Sequence, residues 1–211
     1  MRYKAIHDIK PKNIGSAKMF KNPYLERLTV SHTSIPISML VLFGIGFLYW
    51  GNQHTLMETG QYAVLVFTGI LSWTLFEYLM HRYFYHMLPS NSIKGWIQYN
   101  MHGVHHEYPK DKSRLAMPPF MMIIIIFLFL FAFKMIMGEF TYGFTPGFLF
   151  GYAGYLCVHY LVHAFQPPKN AFKVLWVNHG IHHYKDTDVA FGVSSPFWDY
   201  VFRTLPKKKT T

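Results

Sequence analysis

Ten of the thirteen histidines in this 211-residue chain stand in four short stretches. His81 and His86 lie in HRYFYH, His102, His105 and His106 in HGVHH, His159 and His163 in HYLVH, and His179, His182 and His183 in HGIHH. Imidazole nitrogen suits zinc, copper, iron and nickel, whereas magnesium and calcium prefer oxygen. On a helix, positions i, i+3 and i+4 share a face, so the 102/105/106, 159/163 and 179/182/183 sets each present converging rings. His81 and His86 are five apart, which on a regular helix puts them about 140° apart. They serve two different metals or straddle the end of a helix. A structural zinc site closes at four ligands and would use less than half of this set, whereas two sites of four or five ligands leave positions open for a reactant. His7, His32 and His54 lie outside the stretches and read as ordinary hydrogen-bonding residues.

The elements that must position these rings are apolar. The chain is 51% hydrophobic and 19% aromatic but only 14% charged, with a mean hydropathy of +0.12; in an ordinary soluble domain about a quarter of residues are charged. Four runs approach or reach the roughly 20 apolar residues a bilayer-spanning helix needs: 33–50, 61–80, 118–137 and 144–165. Pro36 falls in the opening turn of the first, where a missing N–H costs little. Lys and Arg are frequent before the first run, between the second and third, and after the fourth, and absent from 51–60 and 138–143. The positive-inside rule then puts both termini, and the histidine segments with them, on the cytoplasmic side. The expected fold is an all-α integral membrane protein with four transmembrane helices and a cytoplasmic histidine-rich di-metal cap, spread over residues 33–205. A basic interfacial arm, 1–32, precedes it and a basic tail, 206–211, follows.

The net charge of +10 is accounted for by topology and contact with anionic lipid. The basic residues form no recognisable nucleic-acid module, so no nucleic-acid partner is expected. The single cysteine, Cys157, excludes an intramolecular disulfide framework and a cysteine-based zinc finger. Residues 1–30 are mixed and polar and carry no apparent cleavable secretory signal. Each half of the chain reads as two apolar spans, a histidine pair, then HGxHH. The parallel between MHGVHHEYPKD and NHGIHHYKDTD suggests two similar half-sites and hence two metals.

A metal-bound imidazole donates its other N–H to a carboxylate or carbonyl. Only ten acidic residues are present, yet Glu77, Glu107, Asp111, Asp186, Asp188 and Asp199 all lie near the histidine segments. Glu77, Glu107, Asp186, Asp188 and Asp199 are the expected acceptors behind the ligands. Helix capping and loop ion pairs are the competing roles for Asp111 and Asp186.

With these segments assembled, the sequence resembles the fatty acid hydroxylase superfamily, the histidine-rich membrane oxygenases that include sterol oxidases and desaturases. The family order of pair, triplet, membrane hairpin, second pair and second triplet is matched at all ten positions. The stretches GVHHEYPKDKSRLAMPP (103–119) and FGVSSPFWDYVFRT (191–204) look most like the sphingolipid fatty acid 2-hydroxylase branch. The resemblance implies two metal ions, iron in the working enzyme and zinc possible in a purified sample, that activate O2 and hydroxylate carbon 2 of a long acyl chain, free or amide-linked in a ceramide-type lipid. The metal ligands would be the ten clustered histidines, and the same di-metal centre would be catalytic. Tyr108, Tyr155, Tyr184 and Trp198 are candidates for contacting the substrate; interfacial anchoring is the other role for the tyrosines. The segment before the first run is too short for the cytochrome b5-like haem domain that eukaryotic members often carry. Electrons are therefore expected from a separate cytochrome b5-like protein, ferredoxin or reductase.

Two rival readings stand beside this. One keeps the metals and changes the reaction, to a sterol methyl oxidase, a sphingoid-base or carotenoid hydroxylase, or a desaturase. The other is a membrane metal transporter or sensor, which would need ligands along a path through the bilayer. The tail KKKTT resembles a dilysine retrieval signal of the endoplasmic reticulum; a bacterial inner membrane is the favoured location.

Overall fold

The computed structural model describes residues 5–207, so residues 208–211 of the basic tail lie outside the described residues. Among the described residues the chain is all helical, with no strand. A short α1 (Pro23–Arg27) sits in the arm, and four long helices follow: α2 (Ser34–His54), α3 (Thr59–Leu79), α6 (Pro119–Met137) and α7 (Thr141–Ala164). Between and after them the cap is built from α4 (Ser92–Gln98), α5 (Val104–Glu107), α8 (Lys173–Tyr184) and α9 (Phe197–Val201).

The four long helices fall on the four apolar runs, with ends shifted by a few residues. Helix α2 runs on past Trp50 to His54, and α7 opens at Thr141. Local signals set these ends. Gln61 at the start of α3 accepts the Glu58 amide at 2.8 Å, Pro119 opens α6, and Gly138, with φ of +59°, closes it. Three helical stretches are long and apolar enough to cross a membrane: Ser34–His54, Thr59–Tyr85 and Lys112–Ala164. The last contains both α6 and α7, joined by the tight turn Gly138–Phe140. Their outer faces carry exposed large apolar side chains such as Leu42, Phe67, Phe131 and Ile136, more than a water-facing surface tolerates as one patch.

Helices α3 and α7 form the central pair, and small residues let their backbones meet. Gly143, Gly147 and Gly151 recur every four residues on α7 and so share one face, and Gly69 answers from α3. A Cβ built on Gly147 would lie 2.1 Å from the Val66 carbonyl oxygen, and one on Gly69 2.3 Å from that of Phe144. Such close approach is how helices associate where the surroundings are as apolar as the interface. Around this seam pack Leu40, Met122, Ile126, Phe148 and Leu149, and Trp73 stacks on Tyr152 at 4.1 Å.

The arm, expected on the membrane surface, is fastened across the cap. Ile6 is buried, the Lys12 amide donates to the Glu107 carbonyl at 2.6 Å, and the Ser16 hydroxyl meets Asp111 at 2.5 Å.

The glycine seam gives a matched pair of variants. Gly147→Ala is expected to destabilise the protein by about 2 kcal/mol or more, because the new methyl must push two backbones apart. Gly154→Ala, whose added Cβ meets nothing within 4 Å, is expected to stabilise it by about 0.5 kcal/mol through helix propensity. Thermal unfolding of the two variants in detergent reads both.

Candidate metal centre

All ten clustered histidines gather where α3 and α7 end and the cap begins, and they sort into two groups. His81, His86, His102, His106 and His182 form one, and His105, His159, His163, His179 and His183 the other. Within each group one ligand nitrogen per ring lies within 4.8 Å of all the others. Nine of the ten rings are buried, and His86 is half-buried. The groups adjoin, with the His106 ring stacked on His183 at 4.2 Å.

The convergence of His81 and His86 has a local cause that period-3.6 reasoning misses. Beyond Leu79, α3 widens into a π-helical segment, Met80–Tyr85, closed by the His86 amide donating to the His81 carbonyl at 3.2 Å. A π turn joins i to i+5, so two rings expected about 140° apart on a regular helix face the same centre. A second wide segment, Tyr99–Gly103, carries His102 into α5.

The two groups are not the two halves of the chain. In each HGxHH triplet the first and third histidines join the pair from their own half, and the middle one crosses. His105 joins the His159 and His163 group, and His182 joins the His81 and His86 group. The repeat expected from sequence is thus present in spacing, but its half-sites interlock.

The donor set fits metal ions. His81 Nδ1 lies 2.6 Å from the Phe191 carbonyl, His182 Nδ1 2.7 Å from that of Val189, and His159 Nδ1 3.2 Å from that of Leu115. A carbonyl only accepts, so in all three rings Nδ1 carries the proton and Nε2 keeps its lone pair. Those Nε2 atoms point at other Nε2 atoms: His81 to His102 at 3.0 Å, His182 to His86 at 3.1 Å, His159 to His105 at 2.9 Å. His102 is also 3.1 Å from His106, and His179 lies 2.7 Å from His163 and 3.1 Å from His183. One proton satisfies one such contact at most, whereas a cation satisfies a whole ring of lone pairs. Outside the apolar helices, burial holds His86, His102, His105, His106, His179 and His183 below the usual imidazole range, and their neighbours push the same way. Burial brings His182 down to about 4. All are neutral near pH 7, the form a metal needs.

The acceptors seen behind these rings are main-chain carbonyls, where carboxylates were expected. Glu77 and Asp199 act one step further out. Glu77 accepts the amides of Val193 at 2.8 Å and Ser194 at 3.0 Å; Asp199 accepts those of Phe191 and Gly192, both at 2.8 Å, and the Thr204 hydroxyl at 2.7 Å. Together they clamp the segment whose Phe191 carbonyl orients His81. Glu107 pairs with Lys12 of the arm at 2.5 Å. Asp186 caps a turn at Asp188, and Asp188 lines a small polar cavity beside His86.

A largely apolar cavity reaches both groups, touching His102 of one and His105 and His159 of the other. Of the four aromatic residues named from sequence, Tyr155 lines it, stacked on His159 with ring planes 9° apart. The other three are not among its lining residues. Tyr108 packs against Gly15 and Lys12 of the arm, Tyr184 donates to Asn13 at 2.8 Å, and Trp198 ties α9 to Thr74 at 3.0 Å. Tyr85, one of the tyrosines flanking the histidine segments, also lines the cavity, whereas sequence reasoning missed Trp96 and Tyr152 as wall residues. The helical spacing of Tyr152, Tyr155 and His159 was the available signal for one of them.

Apolar helices of spanning length, ending in two potential metal sites built of histidine alone, define a histidine-rich membrane protein. The family model for fatty acid hydroxylases matches residues 66–204, an interval that holds all ten ligand candidates, and the chain belongs to that family. It is 35% identical over 147 residues to the dihydroceramide fatty acyl 2-hydroxylase of Arabidopsis thaliana, covering 69% of this chain and 62% of that protein. It is 35% identical over 197 residues to the ceramide very long chain fatty acid hydroxylase of Saccharomyces cerevisiae, covering 90% of this chain and 50% of the other. The human fatty acid 2-hydroxylase is 31% identical over 215 residues, covering 91% of this chain and 57% of that one. The chain thus spans between 50% and 62% of the length of these relatives. Among solved structures, full-length scs7p, of which only the hydroxylase domain is visible, superposes with a TM-score of 0.85 at 32% identity, covering 96% of this chain and 76% of that one.

Two measurements follow from the geometry. His182→Ala is expected to empty the group containing His81, lowering bound metal from about two per chain towards one by elemental analysis, although its neighbours His179 and His183 belong to the other group. Lowering the pH is expected to destabilise the folded protein once it falls below about 6.5, because unfolded imidazoles then take up protons that the buried ones refuse. A melting temperature that does not fall between about pH 7.5 and about pH 5.5 would contradict the burial.

Proposed function

We propose that this protein is a membrane non-haem di-iron monooxygenase that hydroxylates carbon 2 of long acyl chains, free or in ceramide-type lipids. The observation that carries this reading is the apolar cavity whose wall includes histidines of both groups, in a family whose compared members are named ceramide and fatty acid 2-hydroxylases. Two iron ions held by the ten histidines would supply, with O2, the oxidising power that breaking a C–H bond beside a carbonyl requires and that side-chain acids and bases lack.

The chain's own residues do the rest. The carbonyls of Phe191, Val189 and Leu115 fix three rings in the Nδ1-protonated form, and the clamp of Glu77 and Asp199 holds Phe191 in place. Tyr155, stacked on His159, and the apolar wall of Leu115, Met121, Tyr152 and Leu156 exclude water and line up an acyl chain beside the centre. The substrate enters from the bilayer between the long helices. Electrons come from a redox partner such as a cytochrome b5-like protein, a ferredoxin or a reductase.

We read the four long helices as four spans with the cap and both termini in the cytoplasm, on the strength of the basic loops at the histidine end. The relatives compared come from plant, yeast and mammal, and they add nothing in favour of a bacterial inner membrane. A transporter needs ligands along a path through the membrane; here they sit together at one end of α3 and α7.

Expression in cells whose own 2-hydroxylase has been deleted tests the proposal. The expected result is the appearance of 2-hydroxy acyl chains carrying an oxygen atom from labelled O2, read by lipid mass spectrometry, and its loss in His159→Ala together with bound metal. Oxidation at another position, or a desaturated product, would replace this reading with a different reaction of the same family.

A further inference from the structure

The two groups of histidines are equal in number and unequal in what stands behind them. In the group of His81, His86, His102, His106 and His182, two rings are fixed from outside by short bonds: His81 Nδ1 to the Phe191 carbonyl at 2.6 Å and His182 Nδ1 to that of Val189 at 2.7 Å. Both carbonyls belong to one stretch of chain that is itself pinned. Glu77 accepts the amides of Val193 and Ser194, Asp199 those of Phe191 and Gly192, and the Ala190 amide donates to the Thr204 carbonyl at 2.8 Å. Among the described residues, no side-chain nitrogen of this group is buried without a hydrogen-bond partner.

The group of His105, His159, His163, His179 and His183 is held less well. His159 Nδ1 reaches the Leu115 carbonyl at 3.2 Å, the long end of the N–H···O range. The Nδ1 atoms of His105, His179 and His183 are buried and have no hydrogen-bond partner among the described residues. Their Nε2 atoms face the centre, that of His105 towards His159 at 2.9 Å and that of His179 towards His163 at 2.7 Å and His183 at 3.1 Å. A neutral imidazole that gives Nε2 to a metal carries its proton on Nδ1, so each of these three rings turns an unmet donor into a dry interior. A ligand ring with no acceptor behind it is less firmly oriented and its lone pair less basic, and loss of such an acceptor costs a metal site about 10- to 100-fold in affinity. The same group is the more open to the apolar cavity: His105 and His159 line it, against His102 alone from the other.

We infer that the two metal positions are unequal: the one built on His81 and His182 holds its ion tightly, and the one built on His105, His179 and His183, beside the cavity, is the looser position that gives up its ion first. Glu77 and Asp199 are positioning residues for the tight position alone. The inference requires the histidines to hold metal and does not depend on which reaction they serve.

Equilibrium dialysis of the zinc-loaded full-length protein in detergent, against chelator buffers of falling free zinc, tests this, with bound zinc counted by elemental analysis. The parent is expected to lose two ions in two steps at least about tenfold apart in free zinc. His163→Ala is expected to abolish the looser step and keep the tighter, and His182→Ala to do the reverse. Glu77→Gln gives the assignment with all ten rings in place. It is expected to move the tighter step about tenfold towards higher free zinc and to leave the looser one where it was, whereas a role in the fold alone would move both. Loss of both ions in one step, retention of the tighter step in His182→Ala, or an equal shift of both steps in Glu77→Gln overturns the inference. A protein that binds no zinc overturns it together with the metal centre. A two-step loss from a protein that hydroxylates no lipid removes the hydroxylase reading and leaves the inequality standing.

Discussion

The constraint on which the rest of this structure depends is the crowding of imidazole lone pairs in a dry place. Nε2 atoms about 3 Å apart repel unless something positive sits between them, and burial removes the water that would otherwise screen them. Protonation offers no escape, because a buried imidazolium among imidazoles is worse still. The protein accordingly spends its rigid elements on holding the rings still: the ends of α3 and α7, the helix α8, and the segment around Phe191. The order this imposes costs conformational entropy, and the close seam of α3 on α7 supplies the rigid base against which the rings are set.

Support reaches the rings in layers. Main-chain carbonyls meet Nδ1 of His81, His182 and His159, and carbonyl direction is set by backbone, so the backbone must itself be held. Glu77 on α3 and Asp199 on α9 do this from two sides of residues 191–194, each carboxylate satisfied by several donors as buried charge requires. Gly192 belongs to the same device. A Cβ there would lie 2.3 Å from the Ser195 carbonyl oxygen, so the turn closes tightly enough for Asp199 to reach two successive amides only without a side chain.

Much of this was legible in the sequence. The four apolar runs became the four long helices, and the ten histidines named from their spacing came together without exception. What escaped was what spacing on a regular helix cannot express. The π segment at Met80 to Tyr85 alters the angular step, so five residues bring His81 and His86 into register. The crossing of His105 and His182 is a matter of tertiary path, and both triplets look alike locally. The carbonyls of Leu115, Val189 and Phe191 are main-chain atoms, which residue type does not mark. Glu107, Tyr108 and Tyr184 were drawn to the site by proximity in sequence, yet each bonds to the arm, through Lys12 or Asn13, and the arm's own sequence is polar and aperiodic.

The interlock of the two histidine groups also sets an order of assembly. One group waits for His182 and the other for His179 and His183, so α8 is needed by both. A chain whose four long helices have all formed still holds two incomplete sets of histidines, and α8 completes both. Were the two groups to hold metal, neither could be complete before α8 is in place, and a chain truncated before α8 would carry neither full set of histidines.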